Sequence, residues 1–363
     1  MAQPCLWRAL GLCALALGAL GAPSRAMTRR SATVAVTSAF AAAAAAPCAL
    51  RRAAAAPVAD EARTWRLDGD VPMPTLALNT AGLSKRDTER AVLLAASLGI
   101  THVDFHPGIE RDGVSRALKG AARPLFLTTK LRKPPPGAAA ADAAAAVRAQ
   151  LAEDLVALGL DRVDLLLMRD HPSCDVMRAQ WRALEEARAA GRARSIGVVN
   201  FCEGALRCVL ETARVRPAVN YFMLHAGMGA DAHGLRTFGE AHGVRTFAYG
   251  PLGEPRADGA LLGGAVLRQA AEAHGRAPEE VALRWLLQSG CAVSVRPTAD
   301  FSLGASACGS DAQCRPPLLV RARSYDWALS AAEMDDLDAL REPDGNPTLF
   351  SSEGCPGPSP LRS

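Results

Sequence analysis

The chain has 363 residues, with 41 Lys and Arg against 37 Asp and Glu and a formal net charge of +4. Six of the arginines and none of the acids lie in residues 1–59, so the remainder carries a net charge of −2. The basic balance therefore belongs to the leader, which argues against nucleic-acid or membrane-surface binding by the mature part.

Residues Ala9 to Ala22 form an apolar run behind Arg8. At about 14 residues it is too short to span a bilayer and fits the h-region of a signal peptide. Small residues around Gly21 and Ala26 offer cleavage sites. From Met27 to Ala56 the chain is rich in Ala, Ser, Thr and Arg and lacks acids, as transit peptides do. Residues 1–60 thus resemble the two-part leader, signal peptide then transit peptide, of plastids acquired by secondary endosymbiosis. The alternative is a secreted or endomembrane-lumen protein with an Ala-rich arm.

Beyond the leader, roughly 300 residues suit a single large α/β domain. Seven of the ten cysteines lie there, and their odd count and scattered spacing argue against a full disulfide framework. Cys308 and Cys314 flank a Gly/Ser-rich segment and are a candidate bridge, with free thiols the alternative. No CxxC pair suggests zinc, and no metal site is expected.

From Leu76 onward short apolar runs alternate with helical patterns. The expected strands are Leu76–Leu78, Ile100–Val103, Leu125–Thr129, Val163–Met168, Ser195–Val199, Ala218–Phe222, Arg245–Tyr249 and Cys291–Val295. Segments with 3–4 apolar spacing separate them, several ending in a glycine that can supply a left-handed C-cap. Strands that are continuously apolar rather than alternating imply burial on both faces, hence a parallel sheet covered by helices. Eight βα units read as a (β/α)₈ TIM barrel of eight parallel strands, one domain over 61–340 with an insertion near 300–323 and a tail at 341–363. The runner-up is an open doubly wound sheet, but no GxGxxG turn follows the first strand.

In such a barrel the C-terminal ends of the strands carry the chemistry. Those ends are Thr80, Asp104, Lys130, Arg169 with Asp170, Asn200, Asn220 with Tyr221, Tyr249 and Arg296. Lys130 is one of four lysines against 37 arginines. At the exit of the buried run LFLTTK it can be partly desolvated, which lowers a lysine pKa. A solvated loop lysine is the plain alternative. Asp104, one strand away, is placed to pair with it, as an active-site ion pair or as a rim salt bridge.

These features resemble the aldo-keto reductase family over nearly all of 72–340. MPTLALNTAG, ITHVD then VSRAL, LFLTTK, LGLDRVDLLLM, WRALEEARAAGRARSIGVVNF, PAVNYFMLH, HGVRTFAYGPLG, APEEVALRWLLQSGCAVSV and YDWALSAAEMDDLDAL fall in the family's order and spacing. The resemblance implies hydride transfer from NADP(H) to the carbonyl of a small molecule, by a monomer or weak oligomer. It also implies a proton-donating tyrosine tuned by a lysine–aspartate pair and a substrate-orienting histidine.

Asp104 and Lys130 match that pattern. The tyrosine position falls on Gly108 or Ile109, and the histidine position on Arg169. His106, in the same loop as the missing tyrosine and of a type that titrates near neutral pH, is the best replacement donor. His171, two residues past Arg169, is the replacement histidine. On the cofactor side Thr80, Asn200 and Tyr249 match the nicotinamide end, and Gly250 to Gly253, with Leu252, match the loop over the pyrophosphate. Tyr221 stands where a carboxamide-binding glutamine is usual, and Arg296 where a lysine holds the 2′-phosphate. Three functions remain: carbonyl reduction with a rearranged proton donor, a non-catalytic barrel kept for binding, or chemistry using Lys130 as base or Schiff-base former.

Overall fold

The computed structural model describes residues 63–232, 234–253, 260–297 and 323–341. The expected leader, Cys308 and Cys314 in the insertion, and the tail beyond 341 lie outside the described residues.

Eight strands close into one parallel barrel: β3 (Leu76–Asn79), β4 (His102–Phe105), β5 (Phe126–Lys130), β6 (Val163–Arg169), β7 (Ala193–Val199), β8 (Val219–Met223), β9 (Arg245–Tyr249) and β10 (Ala292–Val295). They run in that order around the ring, and β10 pairs back onto β3, Val293 beside Leu76. All eight expected strands are present. β3, β4, β5, β8 and β10 are buried along their whole length, the reason their apolar runs do not alternate.

Helices cover the ring: α1 (Lys85–Ser97), α2 (Ile109–Leu118), α3 (Ala140–Leu158), α4 (Cys174–Ala189), α5 (Glu203–Leu210), α6 (Leu235–Ala241), α7 (Ala260–Gly263), α8 (Ala265–His274), α9 (Pro278–Gln288) and α10 (Ala331–Asp338). Their ends follow local chemistry. Ser84 Oγ accepts the Asp87 amide at 3.1 Å to start α1, and Gly159, at φ +69°, turns the chain out of α3. No helix among the described residues is long and apolar enough to cross a membrane.

A hairpin that the sequence reading did not anticipate precedes the barrel: β1 (Thr64–Leu67) pairs antiparallel with β2 (Val71–Pro74). Leu67, Val71 and Met73 pack with Phe126, Leu165 and Phe247 of the barrel interior. Fully buried Met73 alone contributes roughly 1.5–3 kcal/mol of hydrophobic stabilisation. The hairpin floors the N-terminal end of the barrel. Its Pro74 carbonyl accepts the Nδ1 proton of buried His102 at 2.7 Å, while His102 Nε2 accepts from Thr128 Oγ1 at 2.7 Å.

Two contacts fix α2, whose first turn faces the site. Gly113 lets α2 lie against α1: a Cβ there would stand 2.5 Å from Thr88 Cβ and 2.6 Å from the Lys85 carbonyl oxygen. Arg111 then reaches α3, 2.7 Å from Glu153 and 2.9 Å from Asp154. A disulfide joins Cys174 of α4 to Cys208 of α5, a pair that sequence spacing did not single out.

Candidate active site

The strand ends converge on a cavity of about 190 Å³ at the C-terminal mouth. Asn79, Ala81, His106, Lys130, Arg169, Val199, Asn200, Tyr221, Tyr249, Gly250 and Arg296 line it. All eight strands, or the residues just past them, contribute.

At its base Asp104 and Lys130 form an ion pair, both essentially without solvent exposure. The solvated-loop alternative for Lys130 therefore does not hold. Gln150 of α3 donates to the Lys130 carbonyl at 3.0 Å and fixes the strand end from behind. Asp104 also accepts from Tyr221 Oη at 2.5 Å and from Ser294 Oγ at 2.7 Å. Burial pushes the Asp104 carboxyl up, but the Lys130 and His106 charges and the hydrogen bonds from Lys130 and Tyr221 hold it below the ordinary range. For Lys130 burial wins: desolvation lowers its pKa despite Asp104, and Arg169 adds to the lowering.

Tyr221 was expected to face the cofactor, and it does line the cavity, but its hydroxyl is committed inward. It receives a hydrogen bond from Asn79 Nδ2 at 3.0 Å, and its ring lies under Lys130 Nζ at 4.8 Å. Burial, then the Asp104 charge, raises its pKa well above the ordinary phenol. A phenol so placed holds its proton.

His106 is built differently. Gly108, at φ +93°, ends the short loop and serves as the N-cap of α2, placing Glu110 in the first turn. Glu110 Oε2 accepts from His106 Nδ1 and from the His106 amide, both at 3.0 Å, and from Thr80 Oγ1 at 3.0 Å. Its Oε1 accepts the Gly82 amide at 2.9 Å. Burial raises the Glu110 carboxyl, yet the His106 hydrogen bond and charge outweigh it and keep the group below its ordinary value. A carboxylate only accepts, so Nδ1 carries the proton and Nε2 is left to the cavity. Sequence reasoning missed Glu110; the signal was its i+4 spacing from His106 across the loop. Neither Gly108 nor Ile109, the two candidates for the missing tyrosine's position, lines the cavity, and Ile109 is 66% exposed.

His171 does not join the site. Its Nε2 donates to the Pro135 carbonyl at 3.0 Å, its Nδ1 accepts the Ser173 amide at 3.0 Å, and it is 1% exposed. One nitrogen holds the loop entering α4 and the other the loop after β5, so the expected replacement histidine is a structural residue. Thr80 is likewise buried, bonded to Glu110, and supports the mouth without lining it. Leu252 is buried in the outer hydrophobic core rather than the cavity wall.

Asn200 and Tyr249 line the cavity. Tyr249 Oη donates to Asn200 Oδ1 at 2.9 Å, which orients the Asn200 amide NH₂ group as a donor. Asn200 adopts φ +58°, a conformation asparagine tolerates better than most residues. Arg296 lies exposed at the rim.

A closed parallel (β/α)₈ barrel with ionisable groups gathered at its C-terminal mouth is the architecture of an enzyme site. Residues 73–303 match the model of the Aldo/keto reductase family, and the chain belongs to that family of oxidoreductases. An aldo-keto reductase of Mycobacterium leprae is 36% identical over 235 residues, 63% of this chain and 79% of that protein. One from Mycobacterium tuberculosis is 34% identical over 282 residues, 76% of this chain and 90% of its own. Among solved structures, an aldo/keto reductase from Brucella melitensis superposes with a TM-score of 0.64 at 27% identity, covering 76% of this chain and 98% of its own.

Proposed function

We propose that the protein reduces the carbonyl of a small molecule with NADPH, using His106 in place of the family's tyrosine as proton donor. The observation that carries this reading is the His106–Glu110 pair beside the Asp104–Lys130 pair in one cavity. The donor set suits the cofactor at both ends: the Asn200 amide and Tyr249 ring for a nicotinamide carboxamide and ring face, the Arg296 guanidinium for a 2′-phosphate. Bound there, NADPH supplies the hydride for the carbonyl carbon.

The chain's own residues do the rest. Glu110 holds the imidazole with Nδ1 protonated, so a second proton at Nε2 is the one available to the carbonyl oxygen. The Lys130 ammonium, anchored by Asp104, stabilises negative charge building on that oxygen. As the alcohol leaves, His106 is reprotonated from water.

One observation favours a second reading, a barrel that binds ligands without turnover: the Tyr221 ring sits 4.9 Å from the Tyr249 ring and occupies space beside it. Calorimetric titration of the protein with NADPH and NADH, with Arg296→Ala as control, tests the proposal. NADPH binding in the micromolar range that weakens in the variant, together with NADPH oxidation by at least one carbonyl compound, supports it. Binding without oxidation across an aldehyde and ketone panel favours the second reading, and no binding of either nucleotide refutes the first.

A further inference from the structure

Arg169 stands at the end of β6 and lines the cavity half-buried, yet among the described residues its side chain makes no hydrogen bond and no ion pair. That is unusual for a guanidinium partly removed from water beside a buried ammonium. Every nearby carboxylate among the described residues is already committed. Asp104 is held by Lys130, Tyr221 and Ser294, Glu110 by His106, Thr80 and Gly82, and Asp170 by Lys133 at 3.3 Å. The cation is left facing the same small space into which His106 presents Nε2.

We infer that Arg169 is the receptor for a carboxylate on the substrate, so that the site takes a small oxo acid rather than a neutral aldehyde or ketone. The inference rests on the carbonyl-reduction reading and gives its substrate class. A planar guanidinium grips a carboxylate through two parallel N–H···O bonds, which fixes orientation as well as position. With the acid end at Arg169, the carbonyl is presented toward His106 and Lys130. A bound carboxylate also relieves the repulsion between the Arg169 and Lys130 charges, which a neutral substrate cannot do. A cavity of about 190 Å³ restricts the partner to a short chain.

The test is a titration of the full chain with oxamate, a non-reducible oxo-acid analogue, and with neutral oxamide, each with and without NADP⁺. The expected result is oxamate binding that oxamide does not match. Arg169→Gln should weaken oxamate roughly 10–100-fold, as removal of a charged hydrogen bond does, and Arg169→Lys should recover part of the loss. Equal binding of the two probes, no oxamate binding, or an Arg169→Gln variant with unchanged oxamate affinity overturns the inference. So does a variant that loses NADP⁺ and keeps oxamate, since Arg169 would then serve the cofactor. NADPH oxidation by pyruvate and by neutral acetone, followed in parallel, separates the two readings. Arg169-dependent oxamate binding with no oxidation of any carbonyl leaves the receptor standing and removes the reductase. Indifferent oxidation of both carbonyls does the reverse.

Discussion

Tyr221 and Asp104, 117 residues apart in sequence, meet across the barrel with the phenol donating to Oδ2 at 2.5 Å. The bond locks β8 to the buried ion pair, and it gives Asn79 its acceptor. Tyr221→Phe should therefore cost about 1–3 kcal/mol, because it orphans a buried amide donor and one carboxylate lone pair. Urea denaturation measures this; a loss below about 0.5 kcal/mol would show that neighbouring groups replace the bond. The three tyrosines of the chain, Tyr221, Tyr249 and Tyr325, are all raised by burial, Tyr325 to about 12. Phenolate absorbance of the folded protein should accordingly stay flat until the pH passes 10.

His106→Gln should lower kcat for carbonyl reduction by about 10²–10⁴-fold while leaving NADPH affinity unchanged, the usual cost of losing a general acid. Glu110→Gln should act through the ring. Nitrogen-15 shifts should report the His106 proton on Nδ1 in the natural protein and its redistribution toward Nε2 in the variant. Unchanged shifts would separate Glu110 from the histidine.

The Asp104–Lys130 pair is a stability risk as well as a site. Lys130→Met should destabilise the fold by about 3–5 kcal/mol by leaving a buried carboxylate uncompensated. Asp104→Asn combined with Lys130→Met should cost less than the two single changes added together, a coupling that a double-mutant cycle reads directly.

His102, neutral and buried between Pro74 and Thr128, has its pKa lowered to about 4 by desolvation. The unfolded chain binds this proton near pH 6.5 and the folded chain only near 4. The contribution is thus complete above pH 6.5 and is lost as pH falls toward 4, about 3 kcal/mol in all. Chemical denaturation at pH 7 and pH 4.5 should show a drop that is smaller in His102→Gln. Equal drops would remove His102 from the account.

Gly113→Ala should destabilise by about 1–3 kcal/mol, since the added methyl meets Thr88 and the Lys85 carbonyl. Because α2 carries Glu110, the same change should lower kcat more than its effect on folding suggests. A variant that keeps full stability would show that the two helices can separate.

The barrel was legible because burial on both faces leaves a plain mark: the strands do not alternate apolar with polar residues, as in the consecutive LLLM of β6. The hairpin was not, since VPMP and TWRL are four-residue strands, one with two prolines, whose apolar residues find their partners only in the closed barrel. Asp104 and Lys130 were readable from their strand-end positions. His171 was misplaced because sequence position cannot show that a carbonyl from the loop after β5 takes its second nitrogen. Glu110 and Ser294 were missed for the opposite reason. Ser294 reaches Asp104 only through closure of the barrel, and the Glu110 role rests on a four-residue spacing from His106 that counts only once the loop shape is known.

The floor formed by the hairpin also settles which way the chain enters. Arg63 offers its carbonyl to Thr75 at 3.0 Å, at the start of β3, so the polypeptide arrives at the end of the barrel opposite the cavity. A tether fixed just ahead of Arg63 would anchor the protein by its closed end. Immobilised that way on a sensor surface, it would turn its open face to the flowing solution.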